Sequence, residues 1–573
     1  MGRTQGPSRR AGFTLRTERL GPLPVVNHFL HRLGLEEILE KYVPTRDRRV
    51  GCSYAKSLGV LVRSIIVERE PIYRQQETVR TFAPAMYGLD PDTVGRLDDD
   101  RIGRALDRLF DADRAAFLTE VAIAVGKRFA VRCDRLHNDS TTIRFCGQYR
   151  LARGRRMRGH RAPAITYGYS KDHRPDLKQL LFCLTTSADG GIPVQFRCAD
   201  GNTNDSTTHI DTWEALCAVS GRADFLYVAD SKLCTRENMD HIDRRRGRFV
   251  TVLPRSRLED AEFRKWIQTN EPTWEKVWDR PNARRKGGPR DRWYVCRASL
   301  PSREAWPVTW VWSPLLGLRH ERGRRERIAA ASEDLADLKA RLGNPKSRLH
   351  KAAEVDRKVE TILARHKVGR YLKVRRTPRD EHRFRQMHSG RPGPQTPYRR
   401  ITRRRWDLAW THDDEAIAYD RKSDGMYPLL TNDKSLTPAQ ALEAHKGQPT
   451  IEKRFEQTKT VHEIAPVFLK NEGRIEALFT LYFLGLLVQA LIERELRAAM
   501  HRHKTRELPL YPEERRCRRP TTEQLLRLFS HAQRHVLLRR NTLVQVFPHD
   551  LTDLQTSVLR LLGVPEHAYR PPM

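Results

Sequence analysis

The periodicity of the chain changes twice, and those two changes limit the fold more than any single motif does. Between residues 26 and 129, apolar residues recur every three or four positions. That is the spacing of amphipathic helices, and Asp98, Asp99, Asp100 and Asp111 offer N-cap carboxylates. From 130 to 254 strand-like runs appear at 135–146, 179–187 and 193–199. A helix over 207–219, a strand over 225–229, a helix over 236–246 and a strand over 249–253 follow. The alternation stops at 254, and helical periodicity resumes over 450–464 and 474–500. Such an order predicts a mixed sheet with helices packed on it, interrupted by a long excursion.

Within the excursion lie Trp-rich strands at 291–298 and 307–313 and two charged helices at 320–342 and 346–366, broken into a hairpin by Gly343, Asn344 and Pro345. A basic stretch over 369–405 and a hairpin-like segment around Asp424 and Gly425 complete it. Residues 1–20 are polar and Arg-rich and are expected to be mobile, with no apolar core of a secretory signal. The tail from 501 to 573 is basic and Pro-punctuated, with one helix expected over 521–537. The expected divisions are a helical domain 1–129, a first sheet-forming part 130–254, the excursion 255–440, a second part 441–500 and a tail 501–573.

The balance of charge points to a polyanionic partner. Lys and Arg number 106 against 71 Asp and Glu, a formal charge of +35 with a pI near 10.2. Domains this basic carry the electrostatic footprint of nucleic-acid binding. The nine cysteines form no CxxC pair, and several sit in apolar runs, so they read as reduced core residues of a cytoplasmic protein. The longest apolar run, 478–492, is too short to span a bilayer, and glutamates flank it at 476 and 493. It reads as a buried core helix, with no membrane partner.

Three acidic residues stand in settings suited to metal chemistry. Asp139 lies within a strand-like run, Asp230 closes the run 225–229, and Glu452 opens a helix. Two strand-borne aspartates and a helix-borne glutamate can converge on a pair of divalent metals, the arrangement that breaks and rejoins phosphodiester bonds. Each has an alternative: Asp139 as a turn residue, Asp230 as the cap of the following helix, and Glu456 as rival to Glu452. Asp134, Asp205 and Asp224 are local competitors that lie outside strand interiors. A helix from about 450 places Glu452, Phe455 and Lys459 on one side.

These residues together resemble the DDE transposases of bacterial insertion sequences, the insertion-sequence-four type in particular. The third motif of that family, Tyr-x2-Arg-x3-Glu-x6-Lys, is matched at Glu452 and Lys459, while His445 and Gln448 stand at its tyrosine and arginine positions. The segments 168–176 and 201–205 resemble parts of the same group. Asp139 and Asp230 are 91 residues apart, and Asp230 and Glu452 222 apart, as an insertion before the catalytic helix would give. The resemblance implies an α/β, ribonuclease-H-like mixed sheet flanked by helices. It also implies that 255–440 is a β-rich plus helical-hairpin insertion into a core made of 130–254 and 441–500, and that 1–129 is an all-α N-terminal DNA-binding domain.

The same resemblance implies cut-and-paste transposition by a nucleoid-associated homodimer acting on terminal inverted repeats and target DNA. Asp139 would bridge two Mg²⁺ (or Mn²⁺) ions, with Asp230 on one and Glu452 on the other. DNA contacts are expected from Lys459, Gln448, His445, Lys171, Arg174, Arg403 and Arg404. A base extruded in a hairpin intermediate would stack on Trp310, with Trp306 and Trp312 as alternatives.

Overall fold

The computed structural model describes residues 12–46, 51–150, 152–281, 288–299, 301–344, 346–464, 469–540 and 542–570. Of the features above, residues 1–11 and Pro345 lie outside these. The chain divides into two compact units, one formed by 1–251 with 443–573 and the other by 252–442.

The first unit opens on a strand, β1 (Phe13–Arg19), where the sequence suggested a mobile lead, so the N-terminal region is not all helical. Its partner is near the other end of the chain. Helices α1 (Leu23–Leu33), α2 (Leu35–Tyr42), α3 (Tyr54–Val67), α4 (Gln75–Thr81), α5 (Asp99–Asp111) and α6 (Arg114–Phe129) follow. Asp98 caps α5 by accepting from the Arg101 amide. Asp113 caps α6, the role the sequence offered to Asp111.

The main sheet of this unit runs through β2 (Arg135–Phe145), β5 (Lys178–Ser187), β6 (Pro193–Ala199), β7 (Leu226–Ala229) and β8 (Arg248–Val252). A two-residue hairpin, β3 (Arg156–Met157) and β4 (His160–Arg161), interrupts the first connection. The strand order is β6-β5-β2-β7-β8. β2, β5 and β6 pair antiparallel, while β7 and β8 run parallel to β2. The parallel steps are made by α7 (His209–Ser220) and α8 (Arg236–Arg244). The sheet is therefore mixed.

The second unit holds α9 (Leu258–Trp266), β9 (Glu275–Arg280), β10 (Asp291–Arg297), β11 (Val308–Trp312), α10 (Pro314–Gly343), α11 (Ala352–His366), β12 (Leu372–Gln386), β13 (Tyr398–His412), α12 (Asp414–Arg421), β14 (Met426–Thr431) and the start of α13 (Pro438–His445). β9, β10, β11 and β14 pair antiparallel. The basic stretch supplies most of a two-stranded antiparallel ribbon, β12 paired with β13, with fifteen residues in each strand. Asp424 and Gly425 link α12 to β14 and do not turn a hairpin.

Back in the first unit come α14 (Pro449–Glu456), a π-helical turn over Gln457–Val461, α15 (Glu472–Arg502), α16 (Thr522–Leu528), β15 (Gln533–Arg539), β16 (Thr542–Phe547) and α17 (Asp553–Leu562). The helix expected over 521–537 ends at Leu528, and the chain turns back as β15 to pair with β1. α15 is apolar and long enough to cross a membrane, but 83% of its apolar window is buried here. Phe483 stacks on Phe196 of the sheet at 4.9 Å, and Phe479 meets Phe182 edge-on. Leu58, Ile65, Leu106 and Leu559 from the flanking helices join the same core. The N-terminal helices and the C-terminal tail therefore share one core with the sheet and form no cores of their own.

Candidate active site

The parallel ladder joins Arg135 to Leu226, Leu136 to Tyr227 and His137 to Val228. Carried two residues further, that register sets Asp139 level with Asp230. The 91-residue offset of the ladder is also the interval between the two aspartates. Side chains level with each other on neighbouring strands point the same way, about 4.8 Å apart. The two carboxylates thus stand side by side where β7 ends. Asp139 accepts from the Ser140 amide at 2.7 Å, and Asp230 from the Lys232 amide at 2.9 Å. Asp230 does not cap α8; Thr235 does, accepting from the Asn238 amide.

Burial pushes the Asp139 carboxyl up to about 6. The Lys171 ammonium and the Ser140 amide oppose this, while Asp230 and Asp205 add to it. Asp230 is likewise raised, first by burial and also by Asp205, against the pull of Lys171. Four charged groups thus share one field, and Asp205 is the member that sequence reasoning set aside. Asp205 opens a short 3-10 turn before α7, and its carboxylate lies 2.7 Å from Lys171 Nζ. Lys171 Nζ also donates to the Ser140 carbonyl and hydroxyl oxygens, at 2.8 and 2.7 Å. Lys171 is therefore held against the carboxylates and not extended toward a phosphate.

Two glycines hold the loops that deliver Lys171 and Asp205. A Cβ on Gly168 would overlap the Gly201 carbonyl oxygen, and one on Gly201 would overlap the Gln179 carbonyl oxygen. Gln179 Nε2 donates to the Gly201 and Tyr169 carbonyls at 2.8 and 3.1 Å, tying both loops to β5. Only residues without a Cβ permit that three-way approach. The segments 168–176 and 201–205, singled out in the sequence, were the available signal.

Glu452 is exposed on α14, and the position of the helix follows from contacts on either side of it. Gln448 is buried, donates to the Asn138 carbonyl at 2.8 Å and meets His137 Nδ1 at 3.1 Å. Lys459 in the π turn pairs with Asp172 at 2.8 Å, and Asp172 also pairs with Arg144 at 3.4 Å. The helix therefore runs along β2 from Asn138 toward Arg144. Four residues past Gln448, at about 1.5 Å per residue, carry the backbone roughly 6 Å. On a strand rising about 3.3 Å per residue, that is about the level of Ser140. Glu452 is thus beside the aspartate-bearing segment, yet it is not joined with them in one cluster. Among the described residues, no group of three or more His, Cys, Asp or Glu side chains is arranged to hold a metal ion.

The other expected DNA contacts fall in different places. Gln448 and His445 face into the protein. Gln448 spends its amide on β2, and burial lowers His445 to about 4, leaving it neutral and unsuited to a phosphate. Lys459 and Arg174 are committed to Asp172 and to Asp176, the latter through bonds of 2.8 and 2.7 Å. Arg403 and Arg404 are exposed on β13. Trp310 is a correction: it is 1% exposed and stacks on Phe263 with centroids 3.7 Å apart, so its faces are covered and no base can lie on them. Trp312, two residues on, is half-buried against Trp274 and Tyr294.

The pair of partly buried carboxylates fits a hard divalent cation. Oxygen donors suit Mg²⁺ or Mn²⁺, and buried negative charge this close already draws in an ammonium. No protein-family model matches the chain, and no curated protein matches it.

Proposed function

We propose that the protein is a DNA-cleaving and strand-joining enzyme, a DDE-type transposase with a ribonuclease-H-like core. The observation that carries this is the alignment of Asp139 with Asp230 across a parallel strand pair, beside a helix bearing Glu452. Asp139 and Asp230 would hold the cation, and Glu452 would complete the site by swinging in from α14. A divalent cation bound there supplies Lewis-acid stabilisation and a hydroxide nucleophile at neutral pH. Lys171 opposes the rise that burial gives both aspartates, and Asp205 keeps Lys171 in place. The basic surface attracts duplex DNA, and two copies acting on the two ends of one element are the expected working assembly.

The test uses the full chain, Mg²⁺ and a plasmid carrying the DNA that flanks the gene on both sides. Metal-dependent cleavage at the element's ends is expected from the wild type and not from Asp139→Asn or Asp230→Asn, with duplex binding retained by all three. Equal cleavage by wild type and Asp139→Asn would overturn the assignment. One observation favours a second possibility, a DNA-binding protein without catalysis: Lys171 already answers the negative charge, and Glu452 is outside the cluster. Binding without cleavage by the wild type would select it.

A further inference from the structure

We propose that the outer part of the β12–β13 ribbon, residues 379–404, is an arm that enters the major groove of duplex DNA. This rests on the DNA-directed function proposed above and adds the element, the groove and the contacting residues. The inner end of the ribbon is core. Leu372 and Leu408 are buried with Ile328, Leu335 and Val359 of α10 and α11, and Trp406 and Trp410 pack against them. Beyond Arg379 and Arg404 both faces turn outward. Fifteen residues per strand far exceed what that anchorage needs.

The outer part carries two features that ordinary solvated strands avoid together. Eight arginines stand there against Asp380 and Glu381, a surplus of six positive charges. Among the described residues, no carboxylate is within ion-pairing distance of Arg385, Arg399, Arg400 or Arg403. Next to them, large apolar side chains are left in water: Phe384 is 67% exposed, Met387 59% and Tyr398 49%. The register joins Phe384 to Arg400 and Gln386 to Tyr398, so Phe384 and Tyr398 are diagonal neighbours on one face. Arg383, Arg385, Arg399 and Arg403 share the other.

A partner must therefore meet arginines on both faces of a narrow ribbon and receive aromatic rings at its end. An acidic protein surface would engage one face only. The major groove is about 12 Å wide, admits a two-stranded β-ribbon, and has phosphates along both walls. Arg379 to Gln386, at about 3.4 Å per residue, covers roughly seven base pairs. In that seat the guanidinium groups lie on the phosphates, and Phe384 and Tyr398 lie against the bases.

The experiment measures binding of the full chain to a labelled mixed-sequence duplex of about 30 bp by fluorescence anisotropy across a salt series. Replacing Arg399, Arg400 and Arg403 together by Gln should flatten the log–log salt slope by about 2.7, at about 0.9 for each phosphate left without its guanidinium. The double variant Phe384→Ala with Tyr398→Ala should weaken binding by roughly tenfold with the slope unchanged. Unaltered melting of both variants shows that the fold is intact. If both bind as the wild type does, the arm is refuted while the DNA-directed function stands. If the arm behaves as expected but Asp139→Asn cleaves normally, the catalytic assignment falls and the arm stands. Equal binding to an RNA duplex through the same side chains would refute the groove, because the A-form major groove is too narrow to admit a ribbon.

Discussion

Replacing Arg454 with Met should destabilise the first unit by about 3–5 kcal/mol, although the residue touches neither aspartate. Arg454 is 2% exposed and Glu493 3%, and their charged groups lie 3.1 Å apart. The guanidinium also donates to the Gly191 and Gly190 carbonyls at 3.0 and 3.1 Å and to Gln457 Oε1 at 2.9 Å. It thereby bolts α14 and its π turn to the β5–β6 turn on one side and to α15 on the other. Burial alone would raise the Glu493 carboxyl, but Arg454, Arg497 and Lys453 together hold it below the usual carboxylate value. Removing Arg454 takes away one of the buried partners of Glu493 and four hydrogen bonds with it, a loss of the kind that costs several kcal/mol. Arg497 still pairs with Glu493, which places the expected loss toward the lower end of the range. The double variant Arg454→Met with Glu493→Leu removes the buried carboxylate as well and should recover at least half of the loss. Equilibrium urea unfolding followed by circular dichroism measures both. A loss under about 1 kcal/mol for Arg454→Met, or no recovery in the double variant, would refute the reasoning. Cleavage by Arg454→Met should also fall, since Glu452 rides on the same helix two residues earlier.

Acidification should weaken the fold. Burial holds His462 and His209 at about 4, against an ordinary value of 6.5. Unfolding therefore takes up protons between pH 4 and 6.5, and stability drops as pH falls through that window by about 1.4 kcal/mol per unit for each group. Urea midpoints taken from pH 7 to 4.5 report it, and His462→Gln should reduce the slope. Gly168→Ala should lower the melting temperature and cleavage together, because the new methyl group pushes the Lys171 loop off Gly201; wild-type values for both would contradict the three-way contact. Trp310→Ala should cost about 3–5 kcal/mol in the second unit and leave DNA affinity unchanged, whereas a loss of affinity without a loss of stability would return the ring to a binding role.

How far the sequence could be read depended on whether each segment buries one face. The strand-like runs at 135–146 and 179–187 lie within two residues of β2 and β5, because their apolar and β-branched residues face a core. The ribbon was missed because its outer residues face water on both sides and alternate nothing that a period-two search detects. β1 and β15 escaped for a related reason, with Phe13 and Leu15 of β1 60% exposed on a small three-stranded sheet. In the candidate site, Asp139 stood out by its place within a strand-like run and Asp230 by closing an apolar one. Their side-by-side alignment depends on strand register, which no local pattern encodes. The engagement of Lys171 with Asp205, and of Gln448 with Asn138, is a matter of loops and helices meeting across 34 and 310 positions of chain.

The pairing of β1 with β15 has a consequence for how the protein comes into being. Glu18 is buried against Arg534 at 2.8 Å, and Phe13 sits opposite Arg539, so the first strand has no mate until more than 500 further residues have left the ribosome. At about 5–20 residues per second, the delay is roughly half a minute to two minutes. Throughout it an open strand edge waits on the nascent chain, with Arg16 as the partner of Glu18 already made. Products terminated before β15 would share that defect, which makes this small sheet a seal closed only once residues 533–539 have been made.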